Sequence, residues 1–379
     1  MAYSQAVEGS VSIQIDQIYH DVKKYLPTEI VPKNWNDLLD LFSLIKERLI
    51  IALDELPYLV DTTPSLPSLL QKWIDHKQPD NLTLLLLGSA QTMMHSLFLD
   101  ASSPLFERAR RLIHVKPMSY KHFCEALQLD PVKRDTFIKY SLVGGVPKYW
   151  EYIDAEQNII SLVDSMFFEN SAFFENEPAR LLKDENIHGL TALSMLEAIG
   201  RGSSKPSEIA VKLGIKQTNI SRPLKVLIDT SFIQRQLPFG ESLRTTKRVL
   251  YRITDPILKF WFYVFSPHRS RWHLYPDLKK TSLIEQHAAL VLEQAYRDKF
   301  PDAANYWEKN IEFDCVRHAD ASGKKLIITE IKWKNPKSEE KVKLLNAIQT
   351  NYTKTKLAQK FSGAAYEVLG FRDLIKTLA

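Results

Sequence analysis

Nowhere in the 379 residues do 18 or more apolar residues run together, so no transmembrane helix is expected. The N-terminal stretch MAYSQAVEGSVS lacks the basic, then apolar, then small-residue order of a secretory signal. Cysteine is nearly absent. Cys124 and Cys315 stand far apart without metal-type spacing, which suits a reducing cytoplasmic compartment and a plain role as small apolar side chains. The ten histidines form no HExxH motif and do not pair with the cysteines, so no zinc site is expected. There is no internal repeat or low-complexity tract, which argues against a solenoid. A strong excess of one charge is missing too. The net +5 permits a nucleic-acid partner without arguing for one, because the position of the charge decides.

What is present is a chain long enough for two or three domains, 45% hydrophobic and 25% charged, as in a globular protein. WNDLLDLFSLIKERL (35–49) has apolar residues at helical spacing, and the strand LIIALDE follows. SLPSLLQKWIDHK (65–77) predicts a helix with Ser65 as N-cap and Pro67 in its first turn. NLTLLLLGSA (81–90) reads as a second buried strand and RLIHVKPMS (111–119) as a third, with a helix in YKHFCEALQL after it. Strand–helix–strand order with strands buried on both faces implies an α/β fold built on a parallel, doubly wound sheet. After LVGGVPKYW (142–150) the signals are helical. From 280 onward they read helix (283–300), strands (311–317 and 325–333), helix (337–360) and a last strand in YEVLGF.

The first chemical signal is Asp54-Glu55 at the C-terminal end of an apolar strand. Ligands of parallel α/β sheets bind there, and in nucleotide hydrolases an acidic pair at that place holds Mg²⁺ and activates water. Ser89 falls at the same end of the next strand, within reach of a γ-phosphate or its attacking water. Arg108 and Arg110, in SPLFERARR, are candidates to stabilise phosphoryl-transfer charge. The order LDELPYLV, PSLPSLLQKW, LLLLGSA, SPLFERARRLIHVKPMSYKHFCEAL and VGGVPKYW resembles the archaeal-type ATPase family, a P-loop group related to AAA+ and STAND proteins, over roughly residues 40–150. The resemblance implies that Asp54 organises Mg²⁺, that Glu55 polarises water and that Ser89 is the sensor. One departure is large: the chain contains no G-x-x-x-x-G-K-[ST]. GRGSSKPSE (200–208) has wrongly spaced glycines. In the family the phosphate loop would fall near or before Met1, so the expectation is a truncated product or a pseudo-ATPase that keeps the fold. Without the amides and lysine of that loop, ATP and Mg²⁺ are expected only if a partner chain or a second copy supplies it.

SEIAVKLGIKQTNISRPLKVLIDTSFI matches a winged helix-turn-helix, with Ser207 as a helix cap and Gly214 at the tight turn. Gln217, Thr218, Asn219, Arg222 and Lys225 form the outward face of the candidate recognition helix and are expected to contact DNA. Arg244, Lys247 and Arg248, in the following hairpin, suit phosphate contacts from a wing. The aromatic run in YRITDPILKFWFYVFSP (251–267) also resembles the ATPase family and reads as core rather than as a base-stacking platform.

In IEFDCV (311–316) and LIITEIKWKN (326–335), strand alternation puts Glu312 and Asp314 on one face and Glu330 and Lys332 on one face of the next strand. Charged groups pointing together on otherwise apolar strands are costly unless they bind something. Asp314 and Glu330 are candidate ligands of a divalent metal, Glu293 on the preceding helix completes the set, and Lys332 is the candidate catalytic lysine. The arrangement resembles the PD-(D/E)xK nuclease fold. Residues 280–379 look like the DUF234 type of domain found at the C-terminus of the same ATPase family, carried by ANYWEKNIEFDCV and EIKWKN. The reading is therefore an α/β protein in four parts: a P-loop-type parallel sheet lacking its first unit (1–140), a helical linker (141–186), a winged helix-turn-helix (187–265) and a small restriction-endonuclease-like α/β domain (280–379). Its expected function is that of a DNA-associated protein of this ATPase family with a nuclease-like C-terminal site that uses Mg²⁺ or Mn²⁺. The rival is a non-enzymatic DNA-binding or interaction protein with both acidic sites vestigial.

Overall fold

The computed structural model describes residues 1–188, 190–244 and 246–379. The chain forms two compact units, Met1–Val115 with Asp184–Asn186, and Lys116–Lys183 with Ile187–Ala379.

In the first unit β1 (Ala2–Gln5), β2 (Leu49–Asp54) and β3 (Leu82–Leu86) form a parallel sheet in the order β1-β2-β3. The connections run through α1 (Val11–Val22), α2 (Trp35–Ser43), α3 (Leu56–Thr62) and α4 (Leu66–His76), and α5 (Gln91–Leu99) follows β3. Asn34 starts α2 by accepting the Asp37 N–H at 3.0 Å, while the Asp37 carboxylate accepts from the Lys33 N–H at 2.9 Å. Strands that step across a sheet in one direction with right-handed connections keep their helices on one side. Accordingly Ile51, Leu53 and Leu82 are buried with Ile15, Leu38, Phe42 and Trp73 in a single core. Phe42 and Trp73 pack edge to face at 6.4 Å, worth about 0.5–1.5 kcal/mol beyond their burial.

Two expectations about this sheet are corrected. The strands are not buried throughout on both faces: Tyr3, Ile50 and Leu85 share one face by register and are exposed, although Ala52 between them is buried. Residues 111–119 are not a strand. They run without a ladder partner, with Leu112, Ile113 and Val115 exposed. Strand propensity produces a strand only where a neighbouring edge offers hydrogen bonds. The short β1 and the helix α1 were not foreseen.

In the second unit α6 (Tyr120–Leu127) and α7 (Arg134–Val143) pack with the helical turns Pro256–Phe260 and Trp261–Phe265. Phe137, Phe167, Phe260 and Phe265 are fully buried, so the aromatic run is core, as expected. His287 is buried among them with Nε2 2.7 Å from the Ser141 carbonyl; desolvation drives its pKa down to about 3, so it packs as a neutral ring. Three helices then follow, α8 (Leu190–Gly200), α9 (Pro206–Leu213) and α10 (Ser221–Asp229), and an antiparallel pair, β4 (Ile233–Gln236) with β5 (Leu250–Ile253). Ser207 is not the cap of α9. Lys205 precedes the helix, and the Glu208 carboxylate accepts the Ser204 and Lys205 N–H groups at 3.1 and 3.2 Å. Gly214 closes α9 in the left-handed region at φ 65°, which glycine enters without steric cost.

The long helix α11 (Asp277–Asp298) leads into a four-stranded sheet of β6 (Ala304–Glu308), β7 (Ile311–His318), β8 (Lys325–Ile331) and β9 (Gly363–Leu369). The β6-β7 and β7-β8 pairs are antiparallel and β8-β9 parallel. The helix α12 (Ser338–Tyr352) connects β8 to β9, and α13 (Phe371–Leu378) ends the chain. This mixed α/β unit matches the small C-terminal domain expected, with β6 as an unforeseen edge strand. Among the described residues no helix is long and apolar enough to cross a membrane.

Candidate functional site

The C-terminal sheet brings together all four residues nominated there. Cys315 pairs with Thr329 across β7 and β8, so one residue further along Asp314 stands opposite Glu330. Like charges directly opposite each other destabilise an antiparallel ladder, yet the arrangement sits in a well-packed sheet beside buried Phe313, Cys315 and Ile331. Burial first, then the Glu293 and Glu330 charges, push the Asp314 pKa up to about 7, against a 2.7 Å hydrogen bond from the Ile331 N–H. Burial also raises the Glu293 pKa, with Arg297 opposing and Glu312 adding to the rise. Burial works against the Lys332 ammonium, but its 2.7 Å bond to Glu330 and the Asp314 and Glu293 charges hold its pKa above the ordinary lysine value.

Arg297, which sequence reasoning missed, ties this cluster to α11. It is buried, donates to the Asp314 carbonyl at 2.9 Å and lies 3.7 Å from the Glu293 carboxylate. Its place one helical turn after Glu293 was the available signal. Among the described residues, no three His, Cys, Asp or Glu side chains are set closely enough to hold an ion as they stand. The donor chemistry nevertheless fits a hard divalent cation: Glu293, Asp314 and Glu330 offer carboxylate oxygens, and burial first, with the neighbouring carboxylates second, raises the Asp314 pKa. Glu330 is engaged by Lys332, so joining Asp314 at an ion requires Glu330 to turn from that lysine.

In the first unit Asp54, Glu55 and Ser89 also meet. Asp54 accepts from the Tyr3 hydroxyl at 2.6 Å and from the Glu55 N–H at 2.9 Å, and the Ser89 hydroxyl donates to Glu55 at 3.0 Å. Burial and the Asp54 carboxylate it donates to raise the Tyr3 pKa, the hydrogen bond being the largest cause. Glu55 holds a left-handed backbone at φ 55° and ψ 47° just ahead of α3. Non-glycine residues rarely adopt this, and such strain concentrates at functional sites. Arg108 does not join them. Arg108 donates to both Asp75 oxygens, at 2.9–3.2 Å, and to the Phe106 carbonyl, and Arg110 is exposed.

Of the nominated DNA contacts, Gln217, Thr218, Asn219, Arg222 and Lys225 are all exposed along Gln217–Ile220 and α10. Pro223 falls in the first turn of α10, where its missing N–H breaks no helical bond. In the hairpin Arg244 and Lys247 are exposed. Arg248 is a correction: it pairs with Glu241 and donates to the Trp307 carbonyl at 2.7 Å, so it fastens the hairpin to β6. Phe239 is buried in the core of the C-terminal sheet, and its N–H donates to the Asn305 carbonyl at 2.9 Å.

Residues 271–344 match the DUF234 family, described as archaea bacterial proteins of unknown function; the C-terminal part of the chain carries that domain. Over 94% of its length the chain is 28% identical to the uncharacterized protein MJECL04 of Methanocaldococcus jannaschii, 81% of which is matched. Among solved structures it is similar to the Walker-type ATPase PABY2304 of Pyrococcus abyssi, with 18% identity, a TM-score of 0.47, and 67% of this chain and 77% of that one covered. It is also similar to the Orc1 protein of Aeropyrum pernix in complex with DNA, with 14% identity, a TM-score of 0.32, and 71% and 78% covered.

Proposed function

We propose that this chain is a DNA-associated protein of the archaeal-type ATPase family whose DUF234 domain carries a nuclease-like phosphodiester-cleaving site. One observation carries the reading: Glu293, Asp314, Glu330 and Lys332 converge where β7 and β8 pair, with Asp314 held near neutrality in its proton affinity. Three carboxylates and an ammonium in a partly buried site match the demands of phosphodiester hydrolysis, which needs negative charge offset and water oriented. Bound there, Mg²⁺ or Mn²⁺ would supply Lewis-acid polarisation of the phosphoryl oxygen. Asp314 and Glu330 would be its ligands, with Glu293 completing the set. Lys332 contributes positive charge toward the developing oxyanion, and Arg297 fixes the strand that carries Asp314.

DNA would be engaged through a winged helix-turn-helix formed by α8, α9, α10 and the β4-β5 hairpin. Gln217, Thr218, Asn219, Arg222 and Lys225 would form its outward face, with Lys247 and Arg244 at the wing. The chain is read as cytoplasmic, and in the four parts 1–140, 141–186, 187–265 and 280–379. ATP with Mg²⁺ belongs at Asp54 and Glu55 only where a partner chain or another copy completes the site.

A specific observation favours the rival reading, a non-enzymatic DNA-binding or interaction protein. Glu330 is already paired with Lys332, and among the described residues no three His, Cys, Asp or Glu side chains are gathered as a ready-made ion site. Supercoiled plasmid incubated with the protein and Mg²⁺ or Mn²⁺ separates the two. Nicking or linearisation that disappears in both Asp314→Asn and Lys332→Ala supports cleavage at this site. Plasmid left intact under both metals, or cleaved equally by both variants, refutes it.

A further inference from the structure

Two cations stand beside the carboxylate cluster without a partner of their own. Gln234 and Arg252 face each other across the β4-β5 ladder, so their side chains leave the same side of it. The Gln234 amide donates to Gln294 on α11 at 3.0 Å, which turns that side toward α11 and puts Arg252 there too. In the helical turn Pro256–Phe260, the Phe260 ring lies 5.1 Å from the His287 ring of the same helix, with Lys259 just before it. Arg252 and Lys259 are both partly buried, yet neither has a hydrogen-bond or ion-pair partner among the described residues. Both precede the segment 271–344 that matches DUF234.

Burial first, then the Arg297 and Arg252 charges, push the Lys259 pKa down to about 8, with Asp298 and Asp255 opposing. Like charges gathered in a partly buried place repel each other until an anion joins them. The carboxylates at hand are already engaged. Asp255 caps the turn by accepting the Leu258 N–H at 3.0 Å, Asp298 accepts from Gln294 at 2.7 Å, and Glu293 lies 3.7 Å from Arg297. Burial raises the Glu293 pKa, and Arg297, then Lys259 and Arg252, oppose that rise, so both unpaired cations stand within electrostatic reach of the cluster. A guanidinium takes a pair of oxygens in its planar fork and an ammonium takes a third as a point charge, a pattern that a tetrahedral phosphate supplies.

We propose that Arg252 and Lys259 form a phosphate site that holds the DNA backbone next to the phosphodiester presented to Asp314 and Glu330. The cleaving site is then shared between the β4-β5 segment with its following turn and the DUF234 domain. The strand is fixed by one phosphate at the unpaired cations while its neighbour meets the carboxylates and Lys332. The role of that neighbour rests on the nuclease-like reading of the cluster; the phosphate site itself does not.

The test uses the full chain without metal, so that cleavage plays no part. Lysines are acetylated briefly with an N-hydroxysuccinimide ester and read by peptide mass spectrometry. The protein is treated alone, with a duplex oligonucleotide, and with inorganic phosphate at the same phosphate concentration. With duplex at about ten times its dissociation constant, acetylation of Lys259 should slow roughly tenfold, while the exposed Lys354 keeps its rate. Inorganic phosphate should leave both unchanged. In parallel, Arg252→Gln with Lys259→Gln should lower the salt-dependence slope of duplex binding by about one, the release expected from a single phosphate contact. Equal acetylation of Lys259 with and without duplex overturns the proposal, as does an unchanged slope in the variant. Equal protection by inorganic phosphate assigns the cations to a free anion and overturns the DNA role. Lys259 protected by duplex, in a protein that leaves plasmid intact under Mg²⁺ and Mn²⁺, supports the phosphate site and refutes cleavage.

Discussion

Replacing Asp314 with asparagine should make the protein more stable at alkaline pH, by an amount the geometry sets. The folded Asp314 has a pKa of about 7 against an ordinary 3.8, from burial and from the Glu293 and Glu330 charges. About three decades of proton affinity, at 1.36 kcal/mol each, make the ionised side chain cost roughly 4 kcal/mol of folding free energy. Because the folded state binds the proton more tightly than the unfolded state, stability is highest below about pH 4. It declines as pH rises toward 7, and levels off above. Glu293 is raised too, so the carboxylates titrate together and the wild-type slope exceeds that of Asp314 alone. Asparagine still accepts the Ile331 N–H, but a neutral acceptor is weaker by about 1 kcal/mol. The expected gain from Asp314→Asn is therefore about 3 kcal/mol at pH 8.5, vanishing or reversing slightly near pH 4. Urea unfolding at the two pH values, followed by far-ultraviolet circular dichroism, measures it. Equal stability of variant and wild type at pH 8.5 would refute a buried, charge-crowded Asp314, on which the site reading depends.

Other perturbations follow from the same structure. Neutralising Arg222 and Lys225 together should lower DNA affinity and reduce the salt-dependence slope by about two, since each phosphate contact contributes about 0.9; fluorescence anisotropy across a salt series reads both. Arg248→Ala should instead leave that slope unchanged and destabilise the hairpin contact by about 1–3 kcal/mol, because Glu241 and the Trp307 carbonyl lose their partner; chemical denaturation tests this. Phe260→Ala should cost about 3–5 kcal/mol, its ring being fully buried and 4.6 Å from Phe167. Glu55→Gly should raise the stability of the first unit by on the order of 1 kcal/mol by relieving its left-handed backbone, which thermal unfolding would register.

The C-terminal cluster was legible because strand alternation is local: Asp314 lies two residues from Glu312, and Glu330 two from Lys332, whatever the rest of the chain does. The apolar helix faces and the leucine strands were legible for the same reason. What depended on distant partners was not. Arg108 finds Asp75 on α4, 33 residues earlier, and Arg248 finds the Trp307 carbonyl, 59 residues later. Both looked available in sequence because nothing near them shows what they pair with. Residues 111–119 have the composition of a strand but no edge to pair with, whereas AYSQ at β1 has little strand character and pairs because β2 offers an edge. The short ANYWE of β6 was overlooked for a similar reason: it is recruited by β7.

The most direct test of the C-terminal site is isothermal titration of Mn²⁺ into the metal-free protein at pH 8, where Asp314 is ionised. One ion per chain is expected, with affinity abolished in Asp314→Asn and weakened in Glu293→Gln. Identical heats for wild type and Asp314→Asn would contradict a cation site at these carboxylates and leave the DUF234 domain a binding module.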